Sequence, residues 1–271
     1  MWASKGGVSD GAFFAPTDAG LVPRPHARAP WSPDMLHGRL LAGLAAWAIE
    51  RDHGDDAFVP VRLTVDLYRA PAMEATTVET EVVRAGGRVR AIDARITVGG
   101  ADVARASTLW LKRAEAPPGD DEIPTTPAWD APSPEDSTDA GLSVDSPFEI
   151  RVAGERGFGA AGPGARRAWL RDNQPLVDGE TLTPYVRVAL CADFASPFAN
   201  SGPHGLDYIN ADLTLHLGRL PVGDWIGLET DDRVAERGVS VAQCVYHDRV
   251  GPIGWSSACA VLNPRMPRND S

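Results

Sequence analysis

Two stretches of this chain, 150 positions apart, alternate apolar and polar side chains in the same register. Val59, Val61, Leu63, Val65 and Leu67 are interleaved with Arg62, Thr64, Asp66 and Tyr68. Ile209, Ala211, Leu213, Leu215 and Leu217 are interleaved with Asn210, Asp212, Thr214 and His216. A period of two predicts a strand with one buried face, because successive side chains point to opposite sides of a sheet. Arg69-Ala70-Pro71 closes the first run and Arg219-Leu220-Pro221 the second. The offset persists downstream: Glu79-Thr80 matches Glu229-Thr230, Val89 matches Val239, and Ser107 matches Ser257. Three strand-like runs follow each long strand, 77–84, 88–98 and 102–112 against 227–234, 238–248 and 253–262. A register held over four strands is a duplication.

A helix precedes the long strand in each copy. Ser32-Pro33 reads as an N-cap with proline at the first helical position, and predicts a helix through Met35, Leu36, Leu40, Leu41, Leu44, Ala45, Trp47 and Ala48. Thr183-Pro184 opens the second in the same way, through Val186, Val188, Ala189, Leu190 and Cys191 toward Asp193. The first helix is apolar around most of its circumference, which predicts burial on most sides. One buried helix followed by a curling antiparallel sheet, twice over, is an α+β double hotdog, its two sheets joined edge to edge so that strands otherwise exposed are covered. The N-terminal repeat takes 1–113 and the C-terminal repeat 147–271. Between them, 114–146 is rich in Pro, Asp, Glu, Ser and Thr, as in Pro117-Pro118-Gly119-Asp120-Asp121-Glu122, and reads as an acidic solvated linker.

The bulk properties narrow the functions. A formal charge of −11 opposes nucleic-acid binding, which needs many Lys and Arg to replace phosphate counterions. No run approaches a membrane span. No basic-then-apolar signal opens the chain, and three cysteines without paired spacing fit a reducing compartment, so the expected location is the cytoplasm. The six histidines show no metal-ligand spacing, and no metal or cofactor is expected. Cys191, Cys244 and Cys259 fall in apolar periodic stretches and read as core.

Several residues carry a resemblance. His37-Gly38 stands at the front of the first helix, Ala192-Asp193-Phe194 on the second, and Asp212-Leu213-Thr214-Leu215-His216-Leu217 on the second long strand, with Asn263-Pro264-Arg265 at the end of the last. In this order, and duplicated, they make the chain resemble the acyl-CoA thioesterase II family of double-hotdog proteins. The resemblance implies hydrolysis of acyl-CoA to free acid and CoA, with coenzyme A as part of the substrate rather than a cofactor, and further self-assembly. An acyl carrier protein is the alternative donor. The family binds its hydrolytic water with an Asp on the second helix, a Thr on the following strand and a Gln on the last strand. These positions fall here on Asp193, Asn210 and Ala258, with Cys259 beside the last. The sequence thus departs from the family pattern at two of the three. Asn210 can still orient a water, since an amide both donates and accepts, whereas Ala258 cannot. That departure sets a second reading beside hydrolysis, a non-catalytic acyl or acyl-CoA binding protein. Hydration of an enoyl thioester would need a His where Phe198 stands.

Asp193 also stands out by position. A carboxylate at the C-terminal end of a helix meets the negative end of its dipole, at a cost of ~0.3–1 kcal/mol, and the apolar run around it predicts a raised pKa suited to a general base. His37 and Gly38 read as substrate-binding, because backbone N–H groups at a helix N-terminus polarise a carbonyl and glycine permits close approach. The corresponding place in the first copy is Ala42 or Gly43, so one half alone keeps an acid. Gly157-Phe158-Gly159-Ala160-Ala161-Gly162 spells a dinucleotide motif, but hairpin-like surroundings exclude the strand-to-helix turn that such a site needs. Ser256 in Gly254-Trp255-Ser256-Ser257-Ala258 lies inside a predicted strand, not at a nucleophile elbow. The adjacent Arg166 and Arg167 could meet a phosphate, although such pairs are ordinarily solvated surface.

Overall fold

The computed structural model describes residues 11–143, 146–162, 164–230 and 232–263. An N-terminal hairpin, β1 (Phe14–Thr17) and β2 (Gly20–Pro23), precedes helix α1 (Arg39–His53) and strands β3 (Phe58–Leu67), β4 (Thr76–Ala85), β5 (Val89–Val98) and β6 (Ala101–Lys112). The second half contains β7 (Phe148–Val152), β8 (Arg166–Asp172), helices α2 (Pro184–Ala192) and α3 (Ala195–Asn200), and β9 (Tyr208–Asn210). Strands β10 (Asp212–Leu217), β11 (Ile226–Thr230), β12 (Val239–His247) and β13 (Pro252–Leu262) complete it. One antiparallel sheet runs in the order β1-β2-β4-β5-β6-β3-β10-β13-β12-β11-β8-β7, with the two-residue strand Thr138–Asp139 beyond β7, β9 also on β13, and Arg233–Glu236 also on β12.

The two repeats meet at β3 and β10. Thr64 lies opposite Thr214, flanked by Leu63 opposite Leu215 and Val65 opposite Leu213. Thr64 and Thr214 are each other's counterparts in the duplication, so the pseudo-two-fold axis passes between them, and the Thr214 hydroxyl donates to the Thr64 hydroxyl at 3.2 Å. Each repeat thereby closes the edge strand of the other, as an edge-to-edge double hotdog requires.

The helices pack on one face of this sheet and against each other. Leu40, Leu44, Ala45 and Ile49 of α1, and Val188, Ala189, Leu190 and Cys191 of α2, are fully buried. The helices run antiparallel, since the N-cap of α1 faces the C-cap of α2 while the Thr183 hydroxyl donates to the Glu50 carboxylate at the other ends. Gly43 makes the crossing close: a Cβ there would stand 2.4 Å from Cδ2 of Leu190. Gly43→Ala should therefore cost about 1–3 kcal/mol by overpacking, read as a lower urea midpoint, and the added Leu190→Val change should recover part of it.

The second helix starts where the sequence places it: Thr183 is the N-cap, its hydroxyl accepts from the Val186 N–H at 3.2 Å, and Pro184 is the first helical residue. The first does not. Ser32–Leu36 is an extended segment paired with Arg28–Ala29, and α1 begins only at Arg39 after the N-cap Gly38. Distant partners hold the segment extended, with the Leu36 N–H on the Pro71 carbonyl at 2.9 Å and the Met73 N–H on the Asp34 carbonyl at 3.1 Å. Tertiary hydrogen bonds here override a local capping signal.

The alternation in the long strands breaks at one place in each copy. On β3 the pairing with β6 shifts by one residue between Pro60 and Arg62, so Phe58 and Pro60 turn inward with Leu63 and Val65, and Val59 does not. The second copy repeats the shift 150 residues on. Asn210 pairs with Ala260 but Thr214 with Ser257, and the extra residue is Ala211. Such bulges re-aim side chains. Ile209, read as core, is 39% exposed, while Asn210 leaves the polar face and points toward the helices.

Two further readings change. Cys259 is exposed, because inward places on β13 go to Ala258 and Ala260. The acidic segment is also anchored. Trp129 packs on Trp169 at 5.0 Å, stacks on His247 at 4.7 Å and donates its indole N–H to Glu229. Gly227 leaves room for it, since a Cβ there would stand 2.3 Å from the indole.

Candidate active site

The four residues singled out in the sequence converge. Asp193 is the C-cap of α2 and only 6% exposed. The amide of Asn210, turned inward by the bulge at Ala211, donates to Asp193 Oδ1 at 2.6 Å. On the other side stands the N-cap of α1: a Cβ on Gly38 would lie 3.6 Å from Oδ2 of Asp193. The carboxylate thus lies between two helix ends. The negative end of its own helix opposes its charge, whereas the positive end of α1 favours it.

His37 forms the wall beside Gly38. Its ring packs at 5.5 Å on Trp31, 6.0 Å on Phe194 and 6.4 Å on Phe148. Desolvation, with the nearby Arg39 charge, lowers its pKa to about 3, so the imidazole is neutral through the physiological range. It carries no positive charge to the site near neutral pH.

Asp193 itself is raised above the ordinary carboxylate range. Burial is the main cause, and the Asn210 hydrogen bond and the Arg39 charge oppose it. Arg39 was not foreseen as part of this neighbourhood. It follows Gly38, is 1% exposed, pairs with the buried Asp172 and lies over the rings of Phe13, Phe148 and Phe194 at 5.6, 5.0 and 5.3 Å. An arginine at the start of an apolar helix was the only local signal, and its partner is 133 residues away.

The duplication shows what the first copy lacks. Offset by 150, Asn210 corresponds to Pro60, Ala258 to Thr108 and Ala260 to Trp110. Trp110 is buried edge-on against Tyr185 at 6.1 Å, and Thr108 accepts the indole N–H at 3.1 Å. Bulky side chains therefore fill the inner face of the first copy where the second presents two alanines. A separate cleft of about 410 Å³ is lined by Trp47, Arg51, Thr76, Thr77, Asp178 and Glu180, and includes none of the four site residues.

The family model of an acyl-CoA thioesterase N-terminal domain matches residues 27–111, and that of an acyl-CoA thioesterase C-terminal domain matches residues 114–257. The chain belongs to the acyl-CoA thioesterase family. Thioester hydrolysis is therefore the reaction class of this thioesterase. Solved structures share its fold at low identity. The tesB protein of Mycobacterium avium subs paratuberculosis is 16% identical, with a TM-score of 0.64 over 85% of this chain and 88% of that one. The acyl-CoA thioesterase II TesB2 of Mycobacterium marinum is 16% identical, with a TM-score of 0.62 over 84% and 90%. A hot dog fold protein of Alicyclobacillus acidocaldarius is 14% identical, with a TM-score of 0.69 over 90% and 92%. No curated protein matches the sequence. Among the described residues no helix is long and apolar enough to cross a membrane, and no cluster of His, Cys, Asp and Glu could hold a metal ion.

If Asp193 works as a base, it works ionised, and the rate falls as pH drops through its raised pKa. Asn210→Ala removes a hydrogen bond that favours the ionised form, so that pKa should rise further. The acidic limb of the kcat/KM profile should move to higher pH, and the melting temperature should fall modestly above the raised pKa, since the buried carboxylate loses a donor.

Proposed function

We propose that this thioesterase hydrolyses acyl-CoA with Asp193 as general base on a water held between the Asp193 carboxylate and the Asn210 amide. The observation that carries the proposal is the 2.6 Å hydrogen bond from Asn210 to a buried Asp193 that faces the N-terminus of α1. The water oxygen adds to the thioester carbonyl carbon while its proton passes to Asp193. The charge that develops on the carbonyl oxygen falls beside the N-terminal turn of α1, where Gly38 leaves the backbone open. Collapse of the tetrahedral intermediate breaks the C–S bond, and the proton on Asp193 leaves with the CoA thiol. His37, neutral and ringed by Trp31, Phe148 and Phe194, supplies an apolar wall for the acyl group.

Ala258 favours a second reading, retention of acyl-CoA without turnover, since the amide that the family pattern places on the last strand is missing. Thiol release from acyl-CoAs of two to sixteen carbons, beside a direct binding titration, separates the two. Turnover carried by Asp193 supports the proposal, and binding without turnover by the wild type overturns it.

A further inference from the structure

Arg166 and Arg167 are neighbours on β8 but turn to opposite faces. Arg167 is neutralised by Glu229 at 2.6 Å and Asp130 at 2.9 Å. Arg166 instead donates to neutral oxygens, the Phe198 carbonyl at 2.7 Å and the Ala160 carbonyl at 2.8 Å. Two more arginines join it. Arg156 donates to the Ala161 carbonyl, one residue from the Ala160 contact. Arg233 donates to the Asn200 side-chain oxygen at 2.7 Å, next to the Phe198 contact, and lies over the Tyr208 ring at 5.1 Å. Among the described residues no carboxylate pairs with any of the three, although Glu155 and Asp232 adjoin them in sequence. Their charges press on one another: burial first, then Arg233 and Arg156, lower the pKa of Arg166.

The glycine-rich run that failed as a dinucleotide motif builds this cluster. Gly159, Gly162 and Gly164 have φ of 74°, 85° and 107°, and the loop curls back until Arg156 lies 3.3 Å from the place of a Cβ on Gly162. The same loop reaches the candidate active site, where Phe158 packs on Phe198 at 4.6 Å and on Phe194, the residue after Asp193, at 6.2 Å. From the other side, Tyr208 lies two residues before Asn210 on β9 and so shares its inward face. Among the described residues the three guanidinium groups are bonded to neutral acceptors, in a chain of net charge −11, an arrangement that suits a local anion receptor beside the site.

We infer that Arg156, Arg166 and Arg233 receive a phosphate ester on the thiol carrier of the substrate, an inference that rests on the thioester reading above. The carrier phosphate can come from the nucleotide end of CoA or from phosphopantetheine. The test compares wild type with Arg156→Gln, Arg233→Gln, the double variant and Arg233→Lys on three substrates of one acyl length: acyl-CoA, S-acyl 4′-phosphopantetheine and S-acyl pantetheine. Arg166 is left in place because it ties two segments together. The double variant should raise KM for acyl-CoA about tenfold or more, leave S-acyl pantetheine unchanged, and melt like the wild type, with Arg233→Lys partly restored. A loss confined to acyl-CoA assigns the nucleotide phosphates, and an equal loss on both phosphorylated substrates assigns the pantetheine phosphate. Equal effects on all three substrates, or none, overturn the inference. Calorimetric titration with adenosine 3′,5′-bisphosphate and with pyrophosphate tests the receptor without turnover. If the wild type hydrolyses nothing, the thioester reading fails, and salt-sensitive binding that the double variant loses still establishes the receptor. If the wild type binds neither anion, the receptor is excluded.

Discussion

Asp193→Asn should lower kcat for acyl-CoA hydrolysis by about 10²–10⁴-fold, the range that a positioned general base contributes, and should leave the fold standing. The substitution keeps the shape of the side chain and an oxygen for the Asn210 amide, so the 2.6 Å contact has a substitute partner. It removes the carboxylate that the proposed mechanism uses to take a proton from water. Stability should not fall with activity. Burial raises the pKa of Asp193, which means that the fold disfavours its ionised form, and a neutral amide carries no such cost. Far-ultraviolet circular dichroism and the melting temperature should match or exceed those of the wild type above the raised pKa, while thiol release collapses. Equal rates in the two proteins would take Asp193 out of the mechanism.

Why this carboxylate could be found in the sequence, and its surroundings only partly, follows from the range of the forces involved. Thr183-Pro184 is a short-range signal, since a hydroxyl and a fixed φ act on the next three residues, and α2 starts there. Asp193 is then placed by counting along an apolar helix. Ser32-Pro33 carries the same signal but loses to hydrogen bonds from the Leu36 N–H to the Pro71 carbonyl and from the Met73 N–H to the Asp34 carbonyl, partners that no local pattern reveals. The β-bulge is illegible for a different reason. Val61 and Ala211 look like ordinary strand residues, and only the pairing of the neighbouring strand makes each of them the extra one. Simple alternation therefore put Asn210 on the outer face, whereas its alignment with the family pattern put it beside Asp193. The bulge reconciles the two. The duplication was legible because it is a statement about the whole chain: the Thr64–Thr214 pair lies on the axis that the 150-residue offset implies. The arginine cluster shows the opposite limit, with its members at 156, 166 and 233 joined only through carbonyls of a folded loop and a helix end.

The largest stability effect should come from Arg39→Met. Arg39 and Asp172 form an ion pair with side chains 1% and 0% exposed, and removing one partner of such a pair leaves the other charge buried alone, a loss of about 3–5 kcal/mol. Asp172→Asn should cost less, because the amide oxygen can still accept from the guanidinium where Asp172 Oδ1 does, and the three aromatic faces stay over it. Replacing both residues by Met and Leu should recover most of the loss, since a buried ion pair is often no more stable than apolar groups of similar volume. Urea unfolding of the two single variants and the double variant measures this cycle. The pair also sets the charge beside Asp193, and here the variants should diverge. Arg39 favours the ionised carboxylate, so Arg39→Met, and the double variant if the single one does not fold, should shift the acidic limb of kcat/KM to higher pH. Asp172→Asn leaves Arg39 without its counter-ion, strengthens its pull on Asp193, and should shift the limb to lower pH. Shifts of opposite sign from two changes that both weaken the fold would separate electrostatic tuning from a general loosening of the structure. A common direction would assign the pair to stability alone.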